Sequence, residues 1–117
     1  MKLYEHESKV IFRKHNIQVP EGVLAKSAGD AENIAEKLGI VVIKAQVTVG
    51  GRGKAGGIAT ASDPSGARIA AERILGMSIK GLIVRKLLVE EYRKAEKEMY
   101  LGITIDRRTC RPIIMVS

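Results

Sequence analysis

Cysteine is almost missing from this chain: Cys110 is the only one in 117 residues. That rules out an internal disulfide and any thiolate metal cluster, and it points to a reducing compartment. Tryptophan is absent, and one Phe with three Tyr leaves aromatics at 3%. Binders of single-stranded nucleic acid stack bases on aromatic side chains, so that class is poorly served. Long apolar runs are missing too. No window approaches the roughly 18 consecutive apolar residues of a membrane span, and the opening Met1-Lys-Leu-Tyr-Glu-His-Glu has no apolar signal core. The expected location is cytoplasmic, or an organelle matrix once a presequence has gone, with no membrane contact.

Positive charge is in excess, with 20 Lys and Arg against 13 Asp and Glu, a formal +7. Such a balance suits a polyanionic partner, yet the cations are scattered in singles and pairs from Lys2 to Arg111, as on solvated faces. A basic nucleic-acid-binding module is therefore the second reading. His6 and His15 lack the i, i+4 relation of a helical metal pair and read as surface residues, so no metal ligand is assigned.

What the chain has in quantity is glycine in one place. Thr48-Val-Gly-Gly-Arg-Gly-Lys-Ala-Gly-Gly57 lies between the apolar runs Ile40 to Val47 and Ile58 to Ala61. Without a Cβ, glycine lets backbone N–H groups approach and turn toward a ligand; Arg52 and Lys54 add charge, so the segment reads as a cradle for phosphate. Gly51, Gly53 and Gly56 fit G-x-G-x-x-G by letter. A dinucleotide fingerprint should open a helix, however, and Ile58-Ala-Thr-Ala61 followed by Ser62-Asp63-Pro64 reads as a short strand and a break. The Walker pattern fails because Ile58 follows Gly57. A glycine-rich hairpin that closes over a triphosphate remains, with a ligand-free flexible loop as the plain alternative.

The rest of the chain alternates helix and strand. Residues 4 to 15 form a helix with Val10 and Ile11 on a partly apolar face and Asn16 as a left-handed cap. Ile17 to Pro20 runs extended. Ser27 and Asp30 make an S-x-x-D capping box for a helix with Ala31, Ile34, Ala35 and Leu38 on one stripe, stopped by Gly39. A third helix starts at Ser62 or Asp63 with Pro64 at its first position and buries Ala67, Ala70, Ala71 and Ile74. Strands are expected at Leu82 to Glu90, Glu98 to Ile105 and Pro112 to Val116. The class is α/β or α+β with a mixed sheet, in one domain.

Period two assigns the strand faces. Val41, Ile43, Ala45 and Val47 share one face; Val42, Lys44, Gln46 and Thr48 share a polar one, where Lys44 reaches toward the same phosphates as Arg52. In the later strand, Met99, Leu101, Ile103 and Ile105 point inside. Glu98 then lies on the outer sheet surface, able to accept a ribose hydroxyl or a base amino group. Glu90, at the end of Leu87-Leu-Val-Glu, sits where a hinge segment offers groups to a base.

With these pieces in order, the sequence resembles the amino-terminal part of the β subunits of succinyl-coenzyme A synthetases, which are ATP-grasp proteins. The matching blocks are L-Y-E-H-E-S-K, I-F-R-K-H-N-I-Q-V-P-E-G, V-V-I-K-A-Q-V-T-V-G-G-R-G-K-A-G-G, L-V-E-E and K-E-M-Y-L-G-I-T-I-D-R-R-T-C-R-P. The resemblance implies an α+β ATP-grasp fold, with about residues 1–88 as a first subdomain and 89–117 as the start of a second. It implies a reversible ligase that joins succinate and coenzyme A using ATP with Mg²⁺, and an α subunit that carries a phosphorylated histidine. The β subunit of a related malate- or citrate-CoA ligase is the alternative reading of the same resemblance.

Carried over by position, the nucleotide contacts are Lys44, Gly51, Arg52 and Gly53 on the phosphate side, and Glu90, Arg93 and Glu98 nearer base and ribose. Pro20 matches the residue of ATP-type rather than GTP-type members. Thr48 and Val49 stand where the family usually has His-Ala. The magnesium ligands and the succinate and coenzyme A side fall beyond Ser117, so a chain of this extent is expected to be inactive alone, with no catalytic residue assigned to it and weak nucleotide binding.

Overall fold

The computed structural model describes residues 2–117. Helix α1 (Glu5–Lys14) opens it. Glu7, in the first turn, accepts the Tyr4 N–H at 2.8 Å, and Asn16 at φ 59° turns the chain out of the helix as the sequence predicts. Strand β1 (Gly22–Ala25) follows, an element the sequence reading lacks. Helix α2 (Ala28–Leu38) has the foreseen reciprocal cap, with Asp30 N–H donating to Ser27 Oγ at 3.0 Å and Ser27 N–H to Asp30 Oδ2 at 3.0 Å. Strands β2 (Val41–Ala45) and β3 (Ile58–Ala61) flank the glycine-rich segment. Helix α3 (Pro64–Ile74) is capped by Asp63, which accepts from Gly66 N–H at 2.7 Å.

The single strand expected from Leu82 to Glu90 is two strands. A small hairpin of β4 (Ser78–Ile79) and β5 (Leu82–Ile83) turns at Lys80 and Gly81, both at positive φ, and β6 (Leu87–Glu91) starts afresh. Residues 77 to 83 alternate too briefly for the reversal to be legible. Strands β7 (Leu101–Asp106) and β8 (Arg111–Val116) close the chain as a separate hairpin.

The four-stranded sheet has the order β1-β6-β2-β3, and every pairing is antiparallel. The expected mixed sheet is thus corrected to an antiparallel one: the helical crossovers β1-α2-β2 and β3-α3-β6 each join parallel strands that are not neighbours, because an antiparallel strand lies between them. Helices α2 and α3 cover one face. Ala31 and Ala35 of α2 and Ala67, Ala71 and Ile74 of α3 are buried with Val41, Ile43, Ala45, Leu87 and Val89. Burying apolar surface of this extent is the main stabilising term, worth about 25 cal/mol per Å².

The opposite face, with Lys44 and Glu90, faces α1. This helix buries none of its residues completely. Polar contacts hold it instead: the His6 backbone N–H donates to Gln46 Oε1 at 3.1 Å, its ring Nδ1 lies 2.9 Å from the same oxygen, and Lys9 pairs with Glu90. His6 is therefore half-buried and bonded, not a free surface residue, and Gln46 is buried under α1 rather than solvated.

The faces of β7 alternate as expected, but the inward assignment is corrected. Leu101, Ile103 and Ile105 pair with Val116, Ile114 and Pro112 to form one apolar face, and those first three are 68%, 71% and 67% exposed. A two-stranded ribbon has no second layer to cover that face. Met99 and Glu98 precede the strand and are exposed as well.

Candidate functional site

Lys44 and Glu90 meet because β2 and β6 are neighbours in register, Lys44 opposite Leu88 and Val42 opposite Glu90, so both side chains leave the same face. Gly22, opposite Glu90 on the other side, makes the room: a Cβ there would lie 2.7 Å from Glu90 Cβ. Glu90 is only 2% exposed and pairs with both Lys9 and Lys44. A carboxylate buried this deeply needs such partners. The expected position at the end of the strand is corrected, since β6 continues through Glu91 and Glu90 lies between β1 and β2.

Glu5, in the first turn of α1, closes the cluster. Its carboxylate contacts Lys9 at 3.0 Å, Lys44 at 3.1 Å and Arg52 at 2.7 Å. Glu5, Lys9, Glu90 and Lys44 thus form a ring of alternating charge, and Arg52 adds one positive charge in excess. Burial pushes the Glu5 carboxyl up, but Lys44, Arg52 and Lys9 outweigh it and hold it down at about 2. Burial likewise pulls Lys44 down, and the bonds and charges of Glu90 and Glu5 more than reverse that, leaving its ammonium raised.

Arg52 also donates to Ala45 O at 2.9 Å, which anchors the glycine-rich segment to the end of β2. That segment is a compact turn: Ala55, Gly56 and Gly57 N–H donate to Gly51, Gly53 and Arg52 carbonyls at 3.1, 3.1 and 2.8 Å. Among the described residues the N–H groups of Gly50 through Lys54 donate to no protein acceptor. Gly51 sits at φ 84°, a conformation that glycine adopts without strain. An open groove of about 600 Å³ is lined by Glu5, Ser8 and Val47 through Lys54. Free amides, two cations and a concave surface can take anionic oxygen.

Sequence reasoning missed Glu5 and Lys80. Nothing in the sequence links Glu5 to a loop 47 residues away. Lys80 comes close because Ile79 packs under the loop, so that a Cβ on Gly57 would lie 2.6 Å from Ile79 Cδ1; a Cβ on Gly51 would lie 3.5 Å from Lys80 Nζ.

Lys44, Gly51, Arg52, Gly53 and Glu90 are brought together. Arg93 is not among them: it pairs with Glu91 at 2.6 Å and lines, with Arg13 and Pro20, a second open groove of about 710 Å³. A smaller hollow lined by Lys9, Arg13, Pro20 and Glu90 lies between these two regions along α1. Glu98 is exposed, and no hydrogen bond or ion pair joins it to the cluster.

Residues 2–117 match the ATP-grasp domain family. The chain belongs to that family. Over its whole length it is 47% identical to a protein of Pyrobaculum islandicum named succinate–CoA ligase [ADP-forming] subunit beta, and 52% identical to the corresponding subunit beta 1 of Archaeoglobus fulgidus. It spans 31% of the length of each. Among solved structures, ACD1 of Ca. Korarchaeum cryptofilum in complex with coenzyme A aligns with a TM-score of 0.80 at 26% identity, over 98% of this chain and 52% of that one. The dinucleotide-forming acetyl-coenzyme A synthetase 1 of the same organism reaches a TM-score of 0.84 at 24% identity, over 99% of this chain and 53% of that one, which speaks for the ATP-grasp fold alone.

Proposed function

We propose that this chain is the nucleotide-binding part of the β subunit of an ADP-forming succinate–CoA ligase, working with an α subunit that carries the phosphorylated histidine. The observation that carries the reading is the meeting of Lys44 and Arg52 beside unbonded amides of Gly50 through Lys54. The names of the relatives supply the acid, the coenzyme and the ADP-forming direction. In the whole enzyme the reaction is reversible: succinate, coenzyme A and ATP give succinyl-CoA, ADP and phosphate.

In this reading the residues bind and orient; they do not react. Gly51, Arg52 and Gly53 present backbone N–H groups and a guanidinium to the polyphosphate, Lys44 adds an ammonium from the sheet face, and Lys80 leans in from the hairpin. Phosphoryl transfer depends on such positioning and on neutralised charge. Glu90 fixes Lys44 in place. Arg93 and Glu98 belong to the base and ribose side, with Pro20 in the intervening groove.

Magnesium does not fit this chain's own donors. Among the described residues no three His, Cys, Asp or Glu form a metal-holding group, and Glu5 and Glu90 are each engaged by cations. The expected boundary near residue 88 would divide β6 (Leu87–Glu91), so the first ATP-grasp subdomain is placed through β6 and the second from the β7–β8 hairpin. No described helix is long and apolar enough to cross a membrane, and a cytoplasmic location accords with the proposed chemistry.

The test is titration of the chain with ATP and with an oligonucleotide while following amide shifts at residues 44 to 57. ATP binding in the millimolar range, about 4 kcal/mol, abolished by Lys44→Ala, is the expected result. Shifts with oligonucleotide only would overturn the reading.

A further inference from the structure

The cations assigned to phosphate are already held by a carboxylate. Glu5 touches both Lys44 and Arg52, at 3.1 and 2.7 Å, and it lines the same groove as Gly50 through Lys54. It arrives on α1, a helix with no fully buried residue, docked through Glu5, His6 and Lys9 rather than through an apolar face. A contact made of charge can be exchanged for another contact made of charge, whereas one made of buried apolar surface cannot.

We propose that Glu5 is an internal counter-ion of the phosphate-side cations, which an entering polyphosphate replaces on Arg52 and Lys44, loosening α1 from the sheet. The inference rests on the nucleotide reading above and adds to it a residue that sets how much negative charge a ligand must bring. A single carboxylate spans two cations, and a triphosphate tail offers several anionic oxygens to the same pair. Lys9 stays bound to Glu90, so Glu5 has a remaining partner in Lys9 on its own helix, one turn along. No covalent step is involved. The exchange is an ion-pair replacement whose cost falls as salt rises, because the pairs lie near the surface.

Three measurements on this chain test it. Inorganic tripolyphosphate and ATP are titrated into the unmodified chain, Glu5→Gln and Glu7→Gln. Glu7 lies on the same helix and carries the same charge, but it is exposed and bonds Tyr4 rather than the cations. Glu5→Gln is expected to bind both ligands roughly three- to fivefold more tightly, the scale of removing a competing partly exposed ion pair, with Glu7→Gln within about twofold of the unmodified chain. Amide hydrogen exchange across residues 5–14 of the unmodified chain is expected to quicken when tripolyphosphate saturates it, a readout that stands even if Glu5→Gln folds poorly. Weaker or unchanged binding in Glu5→Gln together with slower exchange in α1 would overturn the inference and make Glu5 a residue that positions Arg52. Lys44→Ala and Arg52→Ala separate the two claims. If they abolish binding while Glu5→Gln gains nothing, the inference fails and the nucleotide reading stands; if they leave binding intact, the nucleotide reading fails and the inference falls with it.

Discussion

Glu5 and Arg52 are joined across 47 residues by a 2.7 Å charge-assisted bond that ties the first helix to the glycine-rich turn. The same carboxylate is held at a pKa of about 2 by its three cations. A folded-state pKa below the unfolded one means that the stabilisation is complete above about pH 4.5 and is lost as pH falls from there toward 2. We expect acid unfolding monitored by circular dichroism to show an Glu5-dependent loss of order 1 to 3 kcal/mol over that window. Glu5→Gln should flatten the curve there, and an identical slope in both proteins would refute the assignment.

Lys44 has a structural duty beside any binding one. With Lys9 it compensates Glu90, which is 2% exposed. Lys44→Ala should therefore lower stability by about 1 to 3 kcal/mol, since it removes one of the two cations bonded to a buried carboxylate while Lys9 remains. Arg52→Ala, at the rim, should cost under about 1.5 kcal/mol of stability but roughly 1.5 to 3 kcal/mol of nucleotide affinity. Denaturant melts and calorimetric titrations of both variants check the split.

The glycines of the turn are not equivalent. A Cβ on Gly57 would meet Ile79 Cδ1 at 2.6 Å and Ala45 Cβ at 3.2 Å, while one on Gly53 would find Ile58 Cδ1 no closer than 3.8 Å. Gly57→Ala is expected to destabilise by about 1 to 3 kcal/mol through overpacking. Gly53→Ala should stay within about 0.5 kcal/mol of the unmodified chain and reveal itself only as weaker nucleotide binding. Equal melting temperatures for the two variants would contradict this packing account.

Lys80 offers a test of charge apart from fold. It occupies the first place of a two-residue turn at φ 50°, ahead of Gly81 at φ 84°. Asparagine favours that conformation, so Lys80→Asn should keep the hairpin and its melting temperature. Tripolyphosphate affinity should fall roughly three- to fivefold and be restored by Lys80→Arg.

The bare face of the terminal hairpin predicts self-association. Leu101, Ile103, Ile105, Ile114 and Val116 lie together and exposed, and an exposed apolar ribbon with open edges recruits another. Sedimentation velocity should show concentration-dependent dimers or larger species, abolished by Ile103→Lys with Ile114→Lys. A monodisperse monomer at high concentration would contradict it.

Local signals carried much of this fold. The Ser27 and Asp30 box, Pro64 after Asp63, and Asn16 each act within a few residues, and each marks its helix end where the sequence places it. The alternation in Val41 to Val47 likewise identifies the buried face. Illegible were features set by distant partners: the antiparallel return of β6, the burial of Gln46 by His6, and the reach of Glu5 to Arg52. For the site, the glycine-rich segment and Lys44 were readable because their chemistry is local. Glu90 was noticed, but its burial required knowing that it lies between β1 and β2. The faces of β7 were assigned correctly in alternation, whereas their exposure depends on whether another layer exists, which strand periodicity does not encode.

The sheet order has an implication for how the chain is made. Strand β6 lies between β1 and β2 yet is the last of the four to be synthesised. On the ribosome, residues 22–25 and 41–45 have no shared neighbour until residue 91 has cleared the exit tunnel. Until then Lys9 and Lys44 also lack their common acid, so assembly of this half waits on a single late-arriving ribbon whose contacts span most of the chain.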